Sequence, residues 1–139
     1  MEAMASRYIL DCRTDERSAI KLLDIPISVK TVYCPVNVSG RHWILLILNM
    51  QTKEISVYDP QGKNHPYIVG KYQQWLGALE WSVIYPQLAR RIPRQSNGWD
   101  CGVFVCMYAS YLMHKHDFDF DQRDMEDFRK WIAHRIARG

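Results

Sequence analysis

A thiol, an imidazole, a carboxylate and a primary amide stand at separated points of this chain: Cys101, His42, Asp59 and Gln95. Together they are the parts of a nucleophilic acyl transfer. A sulfur attacks a carbonyl, a base takes its proton, an acid orients the base, and a donor meets the developing oxyanion. Each has a plainer explanation when taken alone. A lone cysteine is more often a small buried hydrophobe, and an aspartate before proline is usually a turn residue. A histidine beside a tryptophan is commonly a packed ring, and Gln95 could be an exposed loop amide. What points to chemistry is the conjunction: three polar types at three element termini that one strand pairing would bring together.

The elements that would position them can be read from pattern. Gln95-Ser96-Asn97-Gly98-Trp99-Asp100-Cys101-Gly102 is a turn that leads into an apolar run. There Phe104, Met107/Tyr108 and Tyr111/Leu112 recur at helical spacing, so a buried helix is predicted to start at or near Cys101. A thiol at a helix N-terminus faces unpaired N–H groups and the positive end of the helix dipole, which favour thiolate. His42 opens a nearly continuous apolar run to Leu48, the pattern of a central strand covered on both faces. Lys53 to Asp59 alternates, with Glu54, Ser56 and Tyr58 on one side and Ile55, Val57 and Asp59 on the other. If residues 49–52 fold the chain back, the start of the first strand lies beside the end of the second. His42 and Asp59 then come within hydrogen-bond reach, and the carboxylate fixes the imidazole tautomer.

The remaining pattern supplies a frame. Tyr8-Ile9-Leu10 is a short apolar segment, Asp15 to Leu23 a predicted helix, and Val29 to Val36 a predicted strand closed by the Asn37-Val38-Ser39-Gly40 turn. Tyr67 to Leu79 steps at helical spacing, and Trp81 to Tyr85 is another short strand. A last helix starts near an Asp121 N-cap, with Met125, Phe128/Arg129, Ile132 and Ile136 as its stripe. Strands followed by two helices indicate an α+β domain with an antiparallel core. Residues 1–139 are expected to form one catalytic domain, with Met1 to Ser6 an untethered start.

Composition removes other classes. At 47% hydrophobic and 12% aromatic, the chain can bury a core and is not a disordered tail. A net charge of +3, with its main cluster at Arg90, Arg91 and Arg94, is too small for a nucleic-acid footprint, and no matching motif accompanies it. The apolar run Trp43 to Leu48 is too short to span a bilayer. Cys12, Cys34, Cys101 and Cys106 contain no C-x-x-C pair, and His114 and His116 point to different helical faces. No metal or other cofactor is therefore expected, and reduced thiols in an intracellular setting are the default.

Three segments occur in a fixed order: Pro35-Val36-Asn37 with Gly40-Arg41-His42-Trp43, then Ser56-Val57-Tyr58-Asp59-Pro60, then Gln95-Ser96-Asn97-Gly98-Trp99-Asp100-Cys101-Gly102-Val103-Phe104. With the trailing Phe128-Arg129-Lys130 helix, they closely resemble the catalytic half of the ubiquitin-like-protein-specific cysteine proteases. These are the SUMO (sentrin) proteases, related to the adenovirus protease within the papain-like superfamily. The resemblance runs from about residue 32 to the C-terminus. It implies a papain-like fold whose antiparallel central sheet packs on the helix that starts at the nucleophile.

The same resemblance makes His42 the general base, Asp59 its orienting carboxylate, Cys101 the nucleophile and Gln95 an oxyanion donor. Trp43 would wall a narrow channel that only the Gly-Gly tail of a modifier can thread, since glycine lacks a Cβ. Asn97 and Gly98 would shape the approach to the cysteine, and Trp99, at a position where the family varies, is expected to serve packing or a channel-rim contact. The implied partners are a ubiquitin-like modifier (SUMO, or NEDD8 or ubiquitin) and its conjugates, met by a monomer in the nucleus or cytoplasm. Family domains carry a longer segment before the Pro35-Val36 strand, with a second tryptophan that closes over the tail, so a shortened substrate-binding part is expected here. Two alternatives remain open: a peptidase that acts on ordinary polypeptides, as the adenovirus relative does, and a catalytically weak module that only grips a modifier.

Overall fold

The computed structural model describes residues 7–9, 25–77 and 79–138. Five strands form one sheet in sequence order: β1 (Arg7–Ile9), β2 (Thr31–Val38), β3 (His42–Asn49), β4 (Glu54–Tyr58) and β5 (Ser82–Ile84). The centre is antiparallel, as expected: Val38 pairs with His42 across β2 and β3, and Leu45 pairs with Tyr58 across β3 and β4. Both edges are parallel pairings, β1 on β2 and β4 on β5, which makes the whole sheet mixed. Helix α1 (Pro66–Leu76) follows β4, α2 (Cys101–Met113) follows β5, and α3 (Met125–Ala137) ends the chain.

Strand β3 has cover on both faces, because side chains alternate across a strand. Ile44, Leu46 and Leu48 join Val32, Cys34, Val36, Ile55 and Val57 on one face, beneath Ile68, Val69 and Tyr72 of α1. Leu45 joins Tyr33 and Tyr58 on the other face, beneath Val103, Phe104, Met107 and Tyr108 of α2 and Met125 of α3. Ile44, Leu45, Leu46 and Leu48 are all fully buried, and burying a side chain of this size is worth about 1.5–3 kcal/mol. That is ample to pin the register, since a slip by one residue would exchange the two faces.

Two turns set the ends of β3. Ser39 and Gly40 both have left-handed backbone, with φ of 56° and 70°, and the Arg41 N–H donates to the Val38 carbonyl at 3.1 Å. Consecutive left-handed residues match the twist of a tight hairpin, and the turn delivers His42 to the first position of β3. At the far end the Asn49 side-chain oxygen accepts from the Gln51 and Thr52 N–H groups at 3.1 and 3.0 Å, an Asx turn that starts the return to β4.

The boundaries differ from the sequence expectations in instructive places. Strand β2 runs on to Val38, beyond Val36. Helix α1 stops at Leu76, short of Leu79, because Gly77 takes a left-handed C-cap with φ 64°, and Leu79 is left exposed. Asp121 caps a single 3-10 turn, Gln122–Asp124, through a reciprocal box with Asp124, and α3 begins after it. In α3, Met125 is buried and Phe128 and Ile132 pack on the core, but Ile136 lies beyond it and is 75% exposed. The helix expected over Asp15 to Leu23, and the segment Met1 to Ser6, lie outside the described residues.

Candidate active site

The end of β4 and the start of β3 meet as the hairpin requires. The His42 Nε2 lies 2.6 Å from the Asp59 Oδ1, while the Asp59 side chain is fully shielded from solvent and that of His42 is 15% exposed. An ionised carboxylate can only accept, so His42 donates its Nε2–H and its Nδ1 is left as the basic atom. The same Oδ1 accepts from the Gln61 N–H at 2.8 Å. On Oδ2 the Lys63 N–H donates at 3.2 Å and the His65 Nε2 at 2.6 Å. Burial alone would push the Asp59 carboxyl up. Hydrogen bonds from His65, the Gln61 amide and His42, with the charge of His42, outweigh it and hold the group below the usual carboxylate range.

Cys101 is the first residue of α2 and is 6% exposed. Its neighbour Gly102 faces Trp43: a Cβ added there would lie 3.7 Å from the Trp43 Cδ1. The N-terminus of α2 therefore packs against the first residues of β3, with His42 and Cys101 each one residue from that contact. Trp43 is half-buried in this packing.

A second tie joins the loops after β4 and before α2. The Gln95 N–H donates to the Pro60 carbonyl at 2.9 Å. Gly62, with φ 76°, lets the Arg94 guanidinium lie where a Cβ would come within 2.7 Å of its Cζ. The Gln95 side chain donates to the Asn97 carbonyl at 2.5 Å, its Oε1 is buried without a partner among the described residues, and the amide carries a second N–H.

The loop before Cys101 is built by its own side chains. The Asn97 Oδ1 accepts from the Trp99 and Asp100 N–H groups at 3.2 and 3.1 Å, and its Nδ2 donates to the Asp100 Oδ2 at 2.7 Å. Asn97 thus shapes the turn from within. Gly98 is open to solvent with nothing near its missing Cβ, and Trp99 is 72% exposed. Asp100, 5% exposed, also accepts from the Gln122 Nε2 and the Arg129 Nε, both at 2.8 Å. Burial would raise its pKa, but these donors and the charge of Arg129 lower it.

Sequence reasoning missed His65, Gln122 and the anchoring roles of Asp100 and Arg129. The signal for His65 was slight: a histidine before the proline that opens α1, six residues past Asp59. Among the described residues, His42, Asp59 and His65 form the group whose ligand atoms lie within 4.8 Å of one another. A tetrahedral ion with bonds of about 2.0–2.1 Å sets its ligand atoms about 3.3 Å apart. The two N···O separations of 2.6 Å are hydrogen-bond lengths instead, so the three form a hydrogen-bonded array.

A buried carboxylate on an imidazole, a cysteine heading a helix packed beside it, and an amide-bearing loop tied to both are the kinds of group that a thiol acyl transfer would use. No helix among the described residues is long and apolar enough to cross a membrane. Comparison with known proteins agrees on the type of fold. The chain is 29% identical over 117 residues to ubiquitin-like-specific protease 1 of Saccharomyces cerevisiae, covering 76% of this chain and 18% of that protein. It is 32% identical over 107 residues to sentrin-specific protease 2 of Mus musculus, covering 68% and 18%. The X-ray structure of the C-terminal Ulp1 protease domain in complex with Smt3, the yeast ortholog of SUMO, superposes with a TM-score of 0.67 at 27% identity, covering 86% of this chain and 57% of that one. The chain thus spans about a fifth of the length of these curated relatives and somewhat over half of the solved domain. The family described as the Ulp1 protease family, C-terminal catalytic domain, matches residues 7–138, well upstream of residue 32 where the motif resemblance begins, and the chain belongs to that family.

Proposed function

We propose that this chain is a cysteine protease that cleaves after the C-terminal Gly-Gly of a SUMO-type modifier, by a Cys101–His42–Asp59 triad with Gln95 as an oxyanion donor. The observation that carries this is the 2.6 Å contact of His42 with the shielded carboxylate of Asp59, at the point where Trp43 packs on the helix headed by Cys101. Family membership supports a thiol hydrolase, and the complex of a relative with the yeast SUMO ortholog supports the modifier.

In this mechanism the Cys101 Sγ attacks the carbonyl carbon of the terminal glycine and its proton passes to the His42 Nδ1. The oxyanion is met by the spare N–H of Gln95 and the backbone N–H of Cys101. Collapse breaks the bond to the amine, which leaves with the proton from His42. Water, deprotonated by the same imidazole, then releases the thioester as a glycine carboxylate and free thiol. Asp59 keeps the His42 Nε2 protonated and stabilises the imidazolium without itself taking the proton. The half-buried Trp43 and the exposed Trp99 would bound a passage wide enough for glycine only.

A panel of C-terminal fluorogenic modifiers (SUMO, NEDD8 and ubiquitin) tests this, with Cys101→Ala as control. Release from SUMO that is lost in Cys101→Ala is the expected result. Turnover that survives Cys101→Ala would overturn the triad, and preference for ubiquitin or NEDD8 would overturn the modifier.

A further inference from the structure

A cysteine, a histidine and an aspartate complete the triad, yet a second histidine holds the other oxygen of the same carboxylate. The His65 Nε2 is 2.6 Å from the Asp59 Oδ2, and the His65 side chain is 13% exposed. The His42 and His65 rings lie stacked at an interplanar angle of 25°, with centroids 6.4 Å apart. Lengthwise the array reads imidazole, carboxylate, imidazole, with both carboxylate oxygens taken.

The backbone at His65 makes chance packing a poor account. It sits at the N-cap of α1 with φ 51° and ψ 53°, left-handed for a non-glycine residue, and its side chain makes no cap hydrogen bond. The following proline further disfavours helical backbone at that position. Among the described residues Ser39, Lys53 and Lys115 share this left-handed backbone, but of the four only His65 precedes a proline and sets its side chain on the carboxylate of Asp59. Here the contact on Asp59 is what it secures. A carboxylate on a loop can rotate about its Cα–Cβ and Cβ–Cγ bonds. Donors on both oxygens leave one orientation, in which Oδ1 faces His42.

We infer that His65 is a positioning residue, holding Asp59 so that its other oxygen fixes the tautomer and direction of the His42 ring. The inference rests on the triad proposed above, and its test is built to fail separately. His65 also stacks on the His42 ring, so its effect reaches the base through Asp59 and through that ring contact, and a glutamine variant that restores the donor without the ring separates the two.

Two variants separate imidazole from backbone. In His65→Gly the left-handed backbone loses its penalty while the donor disappears. In His65→Gln an N–H returns close to the place of Nε2. Both are compared with the parent and with His42→Ala for the rate at which iodoacetamide alkylates Cys101 near neutral pH, read on the Cys101 peptide. They are compared also for kcat and KM on a fluorogenic SUMO substrate and for thermal midpoint. In His65→Gly the relieved backbone penalty offsets part of the lost donor, so the midpoint is expected to change little or fall slightly, while alkylation and kcat fall about 10- to 100-fold, the worth of one hydrogen bond to a charged group, with KM unchanged. His65→Gln should recover most of the loss. Parental alkylation and kcat in His65→Gly would overturn the inference, as would a loss that tracks a lowered midpoint and is not recovered by glutamine. If the parent hydrolyses no modifier but Cys101 alkylation still depends on His42 and His65, the substrate assignment fails and the positioning role stands. If alkylation is indifferent to His42→Ala, both fall.

Discussion

Replacing Arg129 with methionine tests whether the loop before Cys101 is held by charge. The substitution keeps most of the apolar stem and suits a helix interior, so what is removed is the guanidinium. That group makes a 2.8 Å hydrogen bond from Nε and a 2.6 Å ion-pair contact from Nη2, both to the Asp100 Oδ1. It also donates to the Trp99 carbonyl at 3.0 Å. Asn97 and Gln122 both donate to Oδ2, so the loss of Arg129 strips Oδ1 of its side-chain donors. Breaking a fully buried pair costs about 3–5 kcal/mol, and an exposed pair is worth about 0–1 kcal/mol. The side chain of Asp100 is 7% exposed but that of Arg129 is 49% exposed, so water reaches one partner. Two donors also remain on the carboxylate, which puts the expected loss at about 2 kcal/mol.

At about 2.1 cal/mol/K of unfolding entropy per residue, a loss of this size lowers the midpoint of a chain of 139 residues by about 7 °C. The assay is urea unfolding of parent and variant at pH 7 and again near pH 3. The Asp100 carboxyl is depressed in the folded state, so its contribution is present above the ordinary aspartate range and fades as pH falls through the folded value. The gap between parent and variant should therefore narrow in acid. A gap below about 0.5 kcal/mol at pH 7 would place the pair among ordinary surface contacts. A gap that stays constant into acid would mean that packing, and not charge, was lost.

Gln95→Ala should lower kcat by about 10²–10³ with KM little changed, as loss of one oxyanion donor does; steady-state kinetics that show a pure KM effect would remove Gln95 from that role. Gly62→Ala meets both a left-handed φ of 76° and a 2.7 Å approach to the Arg94 Cζ, and should destabilise by about 1–3 kcal/mol in urea titration. A loss of only about 1 kcal/mol would show that Arg94 moves aside and leaves only the left-handed penalty, and an unchanged midpoint would contradict both costs. For the parent, Asp59 and Asp100 are both held low when folded, so each contributes stability above its unfolded pKa that is lost as pH falls through its folded one. The urea midpoint should drop from neutral to acid pH, and a midpoint that is flat or rises would contradict the lowered carboxyls.

The parts of the fold legible in the sequence were those with strong local periodicity. The run Trp43 to Leu48 admits one placement, a strand with cover on both faces, and the alternation from Glu54 to Asp59 sorted Ile55 and Val57 from Tyr58 onto the two faces they occupy. The His42–Asp59 contact followed from that hairpin, because the register of β3 and β4 is set by the buried face. Parallel pairing at the edges was not legible: β1 and β5 are three residues each, and nothing in so short a strand records its neighbour. The end of α1 was marked by Gly77, but apolar Leu79 continued the period past it. Asp100 and Arg129 are 29 residues apart on different elements, a pairing that only tertiary packing of α3 decides.

His65 was hidden for a different reason. Local rules assign the residue before a proline to extended backbone, and His65 is left-handed instead, with φ 51° and ψ 53°. The position breaks the local rule, and such breaks concentrate where function demands a geometry that propensity does not supply. The same loop, residues 59–65, carries the Asp59 carboxylate, the Pro60 carbonyl that accepts from Gln95 and the Gly62 on which Arg94 rests. The base-orienting acid and the amide-bearing loop are therefore anchored to one short segment, itself held by four donors on a single shielded carboxylate. A perturbation of Asp59 must reach the Gln95 loop as well as His42. In a double-mutant cycle, Asp59→Asn and Gln95→Ala should therefore be non-additive, although the two side chains do different chemistry. Independent losses would mean that the Pro60–Gln95 bond joins the loops without coupling them.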